Sequence, residues 1–121
     1  MKILNATQHV ATPEQVAQGV VDPPSEVHNS IKSMLTFHDI PTKESMEEAG
    51  NKIASLVANR GFTTAMIGGA PYFMGTLERS LKAHGVTPVY AFSTRVSVER
   101  VAEDGTVTKV NEFRHLGFVE V

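Results

Sequence analysis

The segment Thr63-Thr64-Ala65-Met66-Ile67, then Gly68-Gly69-Ala70-Pro71, then Tyr72 to His84 changes backbone period at its two glycines. The first five residues are apolar or β-branched and read as a buried strand. The last thirteen place Phe73, Met74, Leu77, Leu81 and His84 on one helical face. Glycine at a strand-to-helix junction lets backbone N–H groups approach an anion, and the positive end of a helix favours negative charge. A phosphate-bearing ligand is the first functional hypothesis. A tight βα turn with no ligand accounts for the same residues equally well. The turn is neither G-x-G-x-x-G nor a P-loop, since no Lys-Ser/Thr pair follows it.

Working outward, Met1 to Leu4 predicts a short strand, and Asn5-Ala6-Thr7-Gln8-His9 a polar exit from it. Thr12-Pro13-Glu14-Gln15 has a capping residue, a proline for the first turn and a capping-box partner, so a short helix starts there and stops at Gly19. Ser25 begins a second helix with Val27, Ile31, Met34 and Leu35 on one face. Thr42 caps a third, striped by Met46, Ala49, Ile53, Leu56 and Val57 and ended by Gly61. After the fourth helix, Pro88 restricts the chain to a strand start. Val89-Tyr90-Ala91-Phe92 supplies the strand, extended through Ser93 to Val101. Asp104-Gly105 signals a hairpin, and Val107 to Val121 returns as its partner.

The predicted order is β-α-α-α-β-α-β-β over residues 1–121. Helical crossovers make the first three strands parallel, and the hairpin makes the last antiparallel. The fold class is a small Rossmann-like α/β domain with crossover helices and a C-terminal β-hairpin.

The 121 residues carry 11 basic and 13 acidic side chains, a net charge of −2 that disfavours long nucleic acid as a partner. With no cysteine, disulfides and thiolate zinc sites are excluded. The start has no signal-peptide pattern, and no apolar run reaches the length of a membrane span, so a cytoplasmic protein is expected. No histidine–carboxylate spacing indicates a metal site.

Ligands of open parallel sheets bind beyond the carboxyl ends of the strands. Three polar segments are expected at that edge: Asn5, Thr7, Gln8 and His9; then Gly68, Gly69 and Ala70; then Ser93, Thr94 and Arg95. Each has a local alternative. Asn5 and Thr7 suit a chain leaving a sheet. His9 could pack over the first helix, Ser93 and Thr94 could face solvent, and Arg95 could form a surface ion pair. Arg114-His115 fits pairing with Glu99 or a solvated face.

The run Thr87 to Arg95, with Val98-Glu99, Asp104-Gly105, Lys109, Phe113-Arg114-His115 and Phe118, resembles the ending of small CARF-like (CRISPR-associated Rossmann fold) proteins. Thr7-Gln8-His9 with Thr12-Pro13-Glu14-Gln15 resembles their opening. The likeness covers about half the chain, and the compact Gly68-Gly69-Ala70-Pro71 turn departs from the longer one of that group. The resemblance implies a homodimer that binds cyclic oligoadenylate, the second messenger of type III CRISPR defence. It further implies a ring nuclease that opens the messenger without metal or cofactor, by attack of a ribose 2′-OH. Arg95 would stabilise phosphate charge, and His9 or His115 would move protons. Three alternatives remain within reach of the sequence: a protein that sequesters the messenger uncleaved, an interaction module that dimerises through its hairpin and takes no small ligand, and an enzyme acting on a different phosphorylated metabolite.

Overall fold

A computed structural model describes residues 2–121, so the expected strand residue Met1 lies outside the described part. Nine elements follow in order: β1 (Ile3–Asn5), α1 (Pro13–Ala17), β2 (Val20–Val21), α2 (Ser25–Leu35), α3 (Lys43–Asn59), β3 (Thr64–Met66), α4 (Pro71–Ala83), β4 (Thr87–Val101) and β5 (Val107–Glu120). They form one five-stranded sheet in the order β2-β1-β3-β4-β5. β1 pairs parallel with β2 and β3, β3 pairs parallel with β4, and β4 pairs antiparallel with β5. The expected α/β class, the parallel neighbours and the C-terminal hairpin are all present.

One strand was not expected. The two-residue β2 follows Gly19, whose φ of 104° no side-chain-bearing residue adopts cheaply. Two residues are too few for period to register. β2 matters because it lies on the far side of β1 from β3. The chain therefore leaves β1 in one direction and returns past it in the other. Right-handed crossovers running in opposite directions put their helices on opposite faces, so the loops leaving β1 and β3 diverge.

Two of the helices, α1 and α3, start where their caps predict. Thr12 with Gln15, and Thr42 with Ser45, close reciprocal capping boxes. α2, α3 and α4 cover one face of the sheet. Their buried stripes, including Ile31, Ile53, Val57, Phe73, Leu77 and Leu81, meet Leu4, Ala65 and Ile67. α3 and α4 approach closely at Gly50, where a Cβ would stand 2.7 Å from Ser80 Oγ. The other face holds a small cluster of Ile3, Val20, Met66 and Val89, flanked by Ala11 and Phe118.

β4 and β5 outrun the sheet. β3 pairs with β4 only at Thr87, Pro88 and Val89, yet the β4–β5 ladder continues from Val89↔Glu120 to Val101↔Val107. A bulge beside Phe92 and Ser93, where Leu116 is the extra residue, marks the root of this ribbon. No helix among the described residues is long and apolar enough to cross a membrane.

Candidate functional site

β1 and β3 are adjacent, and their exits diverge, so a crevice opens beyond their carboxyl ends. Its volume is about 530 Å³, within the usual range for small-ligand sites. One wall is Thr7, Gln8, His9 and Val10, with Thr12 and Gln15 of the first helical turn. The other is Met66, Ile67, Gly68 and Gly69, and Tyr90 and Ala91 close the end. A Cβ added to Gly68 would meet only Thr7 Cγ2, at an ordinary contact distance of 3.8 Å. Gly69 has φ +156°, and a Cβ there would stand 3.2 Å from Met74 Cε. A side chain at Gly69 would crowd Met74, whereas Gly68 has room for a methyl group.

Asn5 builds the first wall without lining it. Its side chain is fully buried. Nδ2 donates to the His9 carbonyl at 2.6 Å and to Asp22 Oδ1 at 2.7 Å. Oδ1 accepts from the Thr7 amide at 3.0 Å and the Thr7 hydroxyl at 2.7 Å. Asp22, just past β2, also accepts from the Ala11 amide at 3.0 Å. On the opposite side His28 of α2 donates from Nε2 to the Thr7 carbonyl at 2.9 Å. Gln8 Nε2 donates to Thr36 Oγ1 at 3.0 Å. The exit loop is therefore held at both sides, which leaves the exposed His9 side chain facing the crevice. Asp22, His28 and Thr36 were missed by sequence reasoning. Their role depends on β2, which has no local signature, and on where α2 packs, which the helix's own period does not reveal.

Tyr90 closes the crevice end while its hydroxyl donates to Glu78 Oε2 at 2.6 Å. Burial, then this hydrogen bond, then the charge of Glu78 push the phenol well above its ordinary pKa, so it stays a neutral donor.

The third expected segment does not join the other two. Ser93, Thr94 and Arg95 lie on the ribbon beyond its bulge, past the crevice wall that ends at Ala91. Arg95 stands over the ring of Phe113, 5.4 Å from its centroid. His115 is also elsewhere. Its Nε2 bonds Gln18 Oε1 at 2.8 Å, its amide donates to Glu14 Oε2 at 3.2 Å, and its ring meets Phe118 edge-on. It ties the ribbon root to α1 rather than lining the crevice. Glu99 faces Lys109 across the ladder, whereas Arg114 faces Thr94 and is exposed, so of its two expected placements the solvated face holds and the pairing with Glu99 does not. Ala70 caps α4 just outside the lining residues. The reason is one of length. The ribbon continues straight past the sheet edge, whereas the β1 and β3 exits turn within it.

No group of three or more histidines or carboxylates able to hold a metal is found among the described residues. A larger concavity of about 700 Å³ lies between α2 and α3, on Met34, Leu56 and the carboxylates of Glu44, Glu47 and Glu48. These three carboxylates outnumber the one cation of the lining, Lys52, which pairs with Glu48 at 3.0 Å, so the crevice is the better anion site.

No curated protein and no solved structure matches the chain. A family model matches residues 1–119, so the divided sheet edge, the glycine turn and the ribbon described above all fall inside it, and the chain belongs to the Uncharacterized protein MJ1673 family.

Proposed function

We propose that this chain binds a nucleotide in the crevice between the β1 and β3 exits, and that the nucleotide is a cyclic oligoadenylate of the kind the sequence resemblance implies. The observation that carries the reading is the crevice itself, which Thr7, Gln8 and His9 of the β1 exit and Gly68 and Gly69 of the β3 exit line together. Among the described residues the amides of Gly68 and Gly69 donate to no backbone carbonyl, and both glycines border the crevice, where their amides suit phosphate oxygens. Thr7, Gln8 and Tyr90 offer further polar atoms, and Val10, Met66 and Ile67 offer apolar surface for a base. The volume suits one or two nucleotides of a ring, which leaves the remainder for a second copy.

Binding has more support here than cleavage. Of the three residues expected to carry metal-free ring opening, His9 alone lines the crevice, and Arg95 and His115 stand off it. Opening the ring requires a base for the 2′-OH and a proton for the 5′-oxygen leaving group, and His9 is the residue placed to serve. Sequestration of the uncleaved messenger needs neither.

Titration of the protein with cyclic tri-, tetra- and hexa-adenylate by calorimetry, with chromatography of the mixture, tests both parts. Saturable binding of one ring size supports the reading. Linear product that disappears in His9→Ala, with affinity kept, supports cleavage, and intact ligand supports sequestration. Absence of binding to all cyclic nucleotides removes the proposal.

A further inference from the structure

A serine inside a helix commonly returns its hydroxyl to the carbonyl one turn back, as Ser30 of α2 does to Glu26 at 3.1 Å. Ser55 of α3 is arranged differently. Its Oγ stands 3.3 Å from Nε2 of His84, the residue that ends α4. Nδ1 of the same ring lies 2.8 Å from the Ser80 carbonyl. A carbonyl only accepts, so Nδ1 carries the proton and the neutral ring turns a bare Nε2 toward Ser55. The serine hydroxyl therefore donates to a base whose tautomer is fixed from behind. Nucleophile, base and orienting group follow in the order used for acyl transfer, with a backbone carbonyl as the third member. The close approach of α3 and α4 at Gly50, against Ser80, makes the meeting possible.

Ser55 also lines the concavity of about 700 Å³ between α2 and α3. Asn51 and Asn59, one turn before and one turn after it, line the same space and carry amide N–H donors suited to a carbonyl oxygen. Met34 and Leu56 give apolar surface there. Lys52 is paired with Glu48, and among the described residues no cation pairs with Glu44 or Glu47.

We infer that Ser55 and His84 form an esterase site for a carboxylic ester that carries a positive charge beside an apolar chain. Ser55 Oγ attacks the ester carbonyl carbon, and its proton passes to His84 Nε2. The tetrahedral adduct collapses, the bond to the alcohol oxygen breaks, and that oxygen takes the proton from Nε2. Water then attacks the acyl carbon and gives a proton to Nε2. The bond from the acyl carbon to Oγ breaks, Oγ recovers the proton, and the carboxylic acid leaves. His84 is exposed, so water reaches it. Glu44 and Glu47 attract the cation, and Met34 and Leu56 take the chain. The site shares no residue with the crevice lining and stands independently of the nucleotide reading.

The chain has no cysteine, so thiol released from a thioester is read against no thiol of the protein. S-butyrylthiocholine serves as the cationic probe, and the thiobutyrate of 3,3-dimethylbutanethiol as its uncharged match. The full chain should release thiol from both, with kcat/KM about tenfold higher for the cation. Ser55→Ala and His84→Gln should each lower release about a hundredfold or more, with circular dichroism unchanged. Glu44→Gln combined with Glu47→Gln should remove the preference for the cation. A measurement on the unaltered protein needs no variant to fold: a fluorophosphonate should add one equivalent of mass, carried by the peptide that contains Ser55. No labelling, labelling at another serine, or full release by Ser55→Ala overturns the site. Equal kcat/KM for the two probes overturns the assignment to cationic esters.

Discussion

Asn5→Asp separates hydrogen-bond geometry from mere burial at the crevice wall. Asparagine and aspartate have the same shape, so packing is held constant. The change keeps the oxygen that accepts from Thr7 and replaces the Nδ2 donor with a second oxygen. That oxygen would face the His9 carbonyl at 2.6 Å and Asp22 Oδ1 at 2.7 Å. Each of the four native hydrogen bonds contributes about 1 kcal/mol net, and groups left unpaired out of water add to the loss. Asn5→Ala should therefore cost about 3 kcal/mol, a fall of roughly 10 °C in Tm for a chain of this size. Asn5→Asp should cost at least as much at pH 7, because two carboxylates then share one buried site. Its pH dependence has a definite sign. The introduced carboxyl is held above its unfolded value of about 3.9, so the folded state binds the extra proton over the range between. The deficit relative to wild type is small below about pH 4 and grows as the pH rises toward 7. Urea denaturation of wild type and both variants at closely spaced pH values measures this. Parallel stability curves for Asn5→Asp and wild type from pH 4 to 7 would refute the account of the β1 exit.

The remaining predictions address other parts of the fold and site. Tyr90→Phe should lose about 1 kcal/mol from the Glu78 hydrogen bond. Because folding raises the phenol pKa, wild type should also lose stability as the pH rises above about 10, and Tyr90→Phe should not show that component. Gly68→Ala should fold with near-native Tm, since the added methyl meets only Thr7 Cγ2 at 3.8 Å, yet lower nucleotide affinity by narrowing the crevice floor. Gly69→Ala should lower Tm, because its φ of +156° and the 3.2 Å approach to Met74 Cε both oppose a side chain. Phe73→Ala should cost about 3–5 kcal/mol in urea denaturation, because this ring is fully buried between the helices and the sheet.

The order of the main elements could be read directly from the chain. Thr12 and Thr42 cap α1 and α3, and the longer helices carry their own period, as the Phe73-to-Leu81 stripe illustrates. The Asp104-Gly105 turn imposes the hairpin through local backbone preference. The glycine turn could be located for the same reason, because a positive φ restricts residue type wherever it occurs. Such features depend on neighbours within a few positions. What the crevice contains depends on distant ones. β2 is a strand only because β1 lies beside it, and with it comes the divergence of exits that opens the site. Asn5 finds Asp22 seventeen positions away, and His28 reaches back to Thr7 across twenty-one. Arg95 was expected at the site because it extends the carboxyl end of a parallel strand, and His115 because the family resemblance implied it. The ribbon's straight run past the sheet carried the first away, and contact with α1 held the second aside. Local backbone energetics are written residue by residue, whereas convergence of side chains is a property of topology, which appears only when the strands are in their places.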